Sequence, residues 1–192
     1  MNTTKISTVS SVLQNMLKVS LVVLFLIALN SCSSDNETTP TTTTPPTTTP
    51  PVSANTAPEF TLTSLTSTTV KLSDSKNKVV VLFFFGNGCP SCRAAAPSVN
   101  SQLNTPYASR GDFQMYGIDQ WDGNSASVQN FQTITGVSFP LLLMGSSVAA
   151  SYKTTYDRIV VIDKTGKIMF SGTQNASSDI VAAKAKINAL LK

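Results

Sequence analysis

The chain has 192 residues, no histidine, three cysteines and only 12% charged residues, fourteen Lys and Arg against ten Asp and Glu. Without an imidazole there is no Ser-His or Cys-His dyad and no histidine metal ligand, so most hydrolase and zinc-enzyme chemistries are excluded. The near balance of charge beyond Lys5 and Lys18 gives no basic footprint, so no nucleic-acid partner is expected.

Residues 1–31 do not read as part of a fold. A polar, weakly basic stretch leads into the apolar run Val19 to Leu29, which as a helix spans ~16 Å, about half a bilayer's hydrocarbon core. That length suits the apolar region of a signal peptide better than a permanent anchor. Leu29-Asn30-Ser31-Cys32 resembles the lipobox of bacterial lipoproteins, which makes Cys32 the expected site of acylation. Setting Cys32 aside leaves one cysteine pair, as suits an oxidising compartment. Residues 32–57 then form a tether. From Thr38 to Pro51 every residue is Thr or Pro; such a sequence has nothing to bury and stays unfolded, reaching ~40 Å in polyproline-II form. It reads either as a stalk or as passive low complexity.

Residues 58–192 alternate strand and helix patterns. Phe60-Thr61-Leu62 and Val70-Lys71-Leu72 flank a Ser/Thr turn and predict a hairpin. Seven consecutive apolar residues, Val79 to Phe85, predict a strand covered on both faces. A helix is expected from Pro90 to about Leu103, a second central strand over Phe113–Ile118, and a helix over Ser125–Ile134 with Val128, Phe131 and Ile134 on one face. Phe139–Leu143 reads as a short strand or extended segment and Ser147–Tyr152 as a short helix. A hairpin turns at Asp163-Lys164-Thr165-Gly166. From Ser177, a last helix carries Ile180, Lys184, Ile187 and Leu191 on one face. The order describes an α/β sandwich with a mixed sheet.

The chemistry lies at Cys89-Pro90-Ser91-Cys92, between the most apolar strand and the next helix. Two cysteines so spaced in a first helical turn can close a disulfide, and the helix N-terminus favours a thiolate at the first. Cys89 is therefore the expected nucleophile and exposed end, and Cys92 the buried thiol that resolves a mixed disulfide. Two sulfurs without histidine are too few for a metal site, so neither metal nor cofactor is expected. A purely structural disulfide is the competing reading.

These residues resemble the thioredoxin-like superfamily, in particular membrane-tethered extracytoplasmic thiol–disulfide oxidoreductases of the TlpA/ResA type, related to the redoxin and AhpC/TSA proteins. The resemblance runs from Ala57-Pro58-Glu59-Phe60 through Lys78–Phe85, Cys89-Pro90-Ser91-Cys92-Arg93, Pro97 and Phe139-Pro140 to Val161–Ile168. It implies a three-layer sandwich with a mixed central sheet and an N-terminal hairpin extension.

The chain departs from the family around the cysteine pair and at the cis-proline. Gly88 stands where an aromatic usually precedes the first cysteine. Phe83 stands where a buried Asp or Asn is common, and Arg93-Ala94-Ala95-Ala96 brings no acid after Cys92, so no carboxylate is expected beside that thiol. The family's cis-proline falls at Asp157, which makes Tyr156-Asp157-Arg158 part of the active-site loop set with Gly88, Pro90 and Ser91. Burial predicts Tyr156 facing in and Asp157 and Arg158 facing solvent, because an unpaired buried charge costs several kcal/mol.

The function expected is a monomeric, lipid-anchored oxidoreductase that exchanges with protein or small-molecule disulfides and draws on a membrane electron donor. Its place is the cell envelope. Ser33, rather than Asp, after the acylated cysteine favours the outer membrane over the inner. Two alternatives remain. One is a peroxiredoxin-like peroxidase, though Gly86 and Leu82 occupy the Thr and Pro places of that motif. The other is a surface binding module stapled by Cys89–Cys92. A lone Trp121 beside Asp119 and Asp122 reads as a loop residue covering an edge.

Overall fold

The computed structural model describes residues 55–192; Cys32, the expected signal peptide and residues 32–54 of the expected tether lie outside them, while the tether's last residues, Asn55 to Ala57, are held against Gly166 to Ile168. Seven strands form one sheet in the order β2-β1-β5-β4-β3-β6-β7, with β1 Thr61–Ser64, β2 Thr69–Lys71, β3 Val79–Phe85, β4 Phe113–Asp119, β5 Leu141–Leu143, β6 Arg158–Ile162 and β7 Ile168–Ser171. The helices are α1 Pro90–Val99, α2 Ser125–Thr135, α3 Ser146–Ser151 and α4 Ala176–Leu190. Strands β3, β4 and β5 run parallel; β6 lies antiparallel to β3, and the β1–β2 hairpin joins the sheet through β5.

β3 is the strand that the apolar run predicts, with all seven residues buried. Because side chains alternate across a sheet, Val79, Val81, Phe83 and Phe85 face one core and Val80, Leu82 and Phe84 the other. The first core is closed by Ala95, Val99, Phe131, Ile180 and Ile187 from α1, α2 and α4. The second is closed by Phe60, Leu62, Leu72, Val148 and Ala149. This is the three-layer arrangement, with its N-terminal hairpin on the sheet edge. The entry segment is held by the β6–β7 turn, where Ala57 donates to the Gly166 carbonyl at 2.9 Å, and by the end of α3, where the Tyr152 hydroxyl donates to the Pro58 carbonyl at 2.9 Å.

Two local expectations change. In α2, Ile134 is 57% exposed and Thr135 is buried in its place, its hydroxyl donating to the Phe131 carbonyl at 2.7 Å. At 100° per residue, position 135 falls within about 20° of Val128 whereas 134 has rotated away. The expected single helix from Pro90 to Leu103 is α1 followed by a π turn at Asn100–Asn104. Pro97, which supplies no N–H to the ladder, sits inside α1 one turn earlier. Gly136 ends α2 at φ 66°, a left-handed conformation that glycine adopts without a Cβ penalty.

Candidate active site

At the C-terminal end of β3 the chain turns through Gly86-Asn87-Gly88 into α1. Cys89 is the N-cap of that helix, and its Sγ accepts the Cys92 N–H at 3.2 Å, the bond that an oxygen of Ser or Asp usually makes. Pro90 occupies the first helical position, where a missing N–H costs nothing. The Ser91 hydroxyl lies 3.2 Å from the same sulfur, and both cysteines are free thiols. Gly88, Pro90 and Ser91 are exposed, as a loop that meets a partner requires. Cys89 is not: its exposure is 2%, and Cys92 is fully buried. The expectation of an exposed Cys89 is thus corrected, because a sulfur that caps a helix folds over the first turn and away from solvent.

The loop is clamped from two sides. Asp119 ends β4 directly beside Phe85 in the parallel register. Its carboxylate accepts the Asn87 N–H at 3.1 Å, the Asn87 side-chain amide at 3.1 and 3.2 Å, and the Gly123 N–H at 2.8 Å. From α1, Arg93 donates through Nε and Nη2 to the Asn87 carbonyl at 3.2 and 2.9 Å. Both backbone groups of Asn87 are therefore held, and a glycine stands on each side of it.

Those glycines have a specific use. A Cβ on Gly86 would lie 2.5–2.9 Å from three atoms of the Trp121 ring, and one on Gly88 would lie 3.2 Å from another. The indole thus lies across the loop that carries the cysteines. It meets Tyr156 edge-on, with ring centroids 5.3 Å apart and planes at 82°. The aromatic that Gly88 lacks is supplied from the β4–α2 loop. The sequence reading of Trp121, with Asp119 beside it, as a loop residue covering an edge misses that both act on the cysteine loop. The available signal was two glycines flanking Asn87 together with a chain holding a single tryptophan.

Tyr156-Asp157-Arg158 does come to this site. The antiparallel register sets Arg158 opposite Phe84, and the Asp157 N–H donates to the Phe84 carbonyl at 2.9 Å, so residue 157 lies where the cysteine loop leaves β3. The orientation is the reverse of that expected: Tyr156 is 41% exposed, Asp157 is 5% exposed and Arg158 is half-buried. Asp157 has φ 61°, the left-handed region that Asp enters at modest cost, and this turn directs its side chain inward. Backbone pairing, rather than side-chain polarity, decides the facing.

The electrostatics follow from that burial. Asp157 Oδ1 and Arg158 Nε are buried with no hydrogen-bond partner. Burial raises the Asp157 pKa and the charge of Asp179 adds to it, while the Ser91 hydroxyl and the Ala176 amide act in the other direction. Burial also pushes the Cys92 thiol far above its usual value, and the Cys89 sulfur and the Asp157 charge push the same way. A carboxylate thus stands near Cys92 after all, delivered by β6; Phe83 itself is buried against Phe85.

A mixed sheet with a cysteine pair at the start of the helix after its central strand defines a thioredoxin-like protein. Within that class the chain belongs to the AhpC/TSA family, which matches residues 54–171. It is 30% identical over 115 residues to the thiol-disulfide oxidoreductase ResA of Bacillus thuringiensis (strain Al Hakam), covering 59% of this chain. The chain spans about 65% of the length of that curated relative. Among solved structures it resembles a protein provisionally described as a protein disulfide isomerase from Bacteroides thetaiotaomicron, at TM-score 0.66 and 30% identity over 71% of this chain and 88% of that one. It also resembles a protein provisionally described as the thiol:disulfide interchange protein DsbE of Chlorobium tepidum, at TM-score 0.63 and 25% identity over 72% and 96%.

Proposed function

We propose that this protein is a lipid-anchored, extracytoplasmic thiol–disulfide oxidoreductase that works through Cys89-Pro90-Ser91-Cys92. The observation that carries the reading is the Cys89 sulfur acting as helix N-cap, bonded to the Cys92 N–H at 3.2 Å, with a second free thiol in the same turn. A sulfur so held sits at a helix N-terminus, and its neighbour is in place to close a disulfide. In the reducing direction Cys89 attacks a client disulfide and forms a mixed disulfide, releasing one client thiolate. Cys92 then attacks the Cys89 sulfur and releases the other. The client gains two electrons, and Cys89 and Cys92 become a disulfide. The thiol–disulfide oxidoreductase name of its ResA relative supports the same activity.

Gly88, Pro90, Ser91, Tyr156, Asp157 and Arg158 are proposed as the surrounding loop set. Clients are protein disulfides or dithiols, the chain is monomeric, and a membrane donor resets the pair. Residues 1–31 act as signal peptide and 32–57 as acylated tether, with Cys32 holding the 58–192 domain at the envelope, by preference the outer membrane. The peroxidase alternative is disfavoured by Gly86. The Thr of that motif would need a Cβ where the indole of Trp121 already lies.

Reduction of insulin disulfides by the full-length chain in detergent tests the proposal. Wild type should accelerate the reaction and Cys89→Ser should abolish it. Cys92→Ser should accumulate a mixed disulfide through Cys89. Wild-type protein without activity would leave Cys89–Cys92 as a structural staple.

A further inference from the structure

Resolution of the mixed disulfide requires a Cys92 thiolate, yet Cys92 is fully buried and burial opposes its ionisation. A proton leaving that sulfur needs an acceptor on the protein. Strand β3, which lies beneath the loop, offers only apolar side chains from Val79 to Phe85. Asp119 is committed: its carboxylate is filled by the N–H groups of Asn87 and Gly123 and by the Asn87 amide. Asp157 differs on each count. It is buried, its backbone is pinned to the end of β3 by the bond to Phe84, and its Oδ1 has no partner.

On the oxidoreductase reading, on which this step rests, we propose that Asp157 is the proton acceptor for Cys92 during resolution. The Cys92 S–H proton passes to the Asp157 carboxylate, and the freed electron pair forms the bond from Cys92 Sγ to Cys89 Sγ. The bond between Cys89 and the client sulfur breaks, and the client leaves as a thiolate. The proton on Asp157 then passes to that thiolate or to water, which returns the carboxylate to its starting state. No outside reductant or oxidant is needed beyond the client disulfide itself. The reverse sequence serves oxidation.

The surroundings suit a group that both takes up and gives back a proton. From α1 the Cys92 sulfur and the Ser91 hydroxyl bear on Asp157; from α4 come the Asp179 carboxylate and the Ala176 amide, and Arg158 follows as the first residue of β6. Burial and the Asp179 charge raise its proton affinity, so a proton from Cys92 is accepted more readily than by an exposed carboxylate. An unfilled oxygen in the interior otherwise costs free energy with no return.

The full-length chain, reduced and in detergent, should react with one equivalent of an aromatic disulfide that releases a coloured thiolate at each step. Attack by Cys89 gives the first phase and attack by Cys92 the second. Asp157→Asn should leave the first phase within about twofold while slowing the second by roughly a hundredfold at neutral pH, the range expected for loss of a general base. The second phase should recover as pH rises and hydroxide replaces the carboxylate. Asp157→Glu should keep most of the wild-type rate. The intact first phase reports a folded site, so a slow second phase is not mistaken for unfolding. Equal second phases in wild type and Asp157→Asn at every pH would overturn the assignment of Asp157 alone. A wild-type chain with no second phase would overturn the oxidoreductase reading and this step together.

Discussion

Two aspartates near the sheet ends show how neighbours decide what a carboxylate contributes. Asp112 is paired with Arg110 at 2.9 Å and Lys164 at 2.8 Å, which hold its pKa well below the usual carboxylate range. Its stabilisation is therefore present above the unfolded-state value and is lost as pH falls through the folded one. Asp157 has the opposite sign. Burial raises its folded pKa above the unfolded value of ~3.9. The native state then holds the proton more tightly, and stability declines as pH rises through the window between the two values. Asp157→Asn should accordingly raise the midpoint of thermal unfolding at neutral pH, with the gain shrinking when the comparison is repeated below the unfolded value. A midpoint that is unchanged or lower at neutral pH would mean that the carboxylate is not under this strain. A residue that destabilises the resting fold and sits beside the reacting sulfurs fits the common conflict between stability and activity.

The loop between β4 and α2 does more for the site than any other connection outside the cysteine turn. It carries Trp121 and Gly123 and begins at Asp119, so one segment both clamps Asn87 and roofs Gly86 and Gly88. Trp121 is the chain's single tryptophan and is 46% exposed, so its fluorescence reports the loop directly. Gly86→Ala would place a methyl carbon 2.5 Å from the ring, and the indole, being the more mobile partner, should swing toward water. The expected result is an emission maximum shifted to the red. The cost is about 1–3 kcal/mol, as for other overpacked sites. An unshifted spectrum with wild-type stability would show that the ring does not rest on Gly86. Asn124 and Gly136 bound α2 with a side-chain cap and a left-handed stop, which fixes where this loop ends and the helix begins.

The arrangement of layers explains why the chemistry sits where it does. β3 is the strand buried on both faces, flanked by β4 in parallel and by β6 in antiparallel pairing. The end of β3 therefore gathers the start of α1, the end of β4 and the start of β6 at one edge of the sheet, and each supplies one part of the site. The proposed anchor acts on the position of this whole domain relative to a membrane rather than on its fold. Cys32→Ala should leave the exchange activity of the domain intact but yield protein that no longer partitions with membranes. Metabolic labelling with radioactive palmitate should mark wild type and not the variant. Absence of label on wild type would remove the lipoprotein proposal while leaving the redox chemistry untouched.

The strand–helix order, the doubly covered β3 and the cysteine pair at a helix start were legible in the order of residues, because they rest on local periodicity and on contacts within a few positions. Seven apolar residues in a row have few other uses, and a Cys-Pro-Ser-Cys run caps its own helix. The grip of Asp119 on Asn87, the indole laid on Gly86 and the inward turn of Asp157 depend on pairs of residues far apart in the chain. Their geometry is set by strand register. Composition argued that Tyr156 should be buried and Asp157 solvated. The backbone bond from Asp157 to Phe84 and the left-handed turn at residue 157 decide the opposite, because a side chain in a pinned strand end points where its backbone sends it.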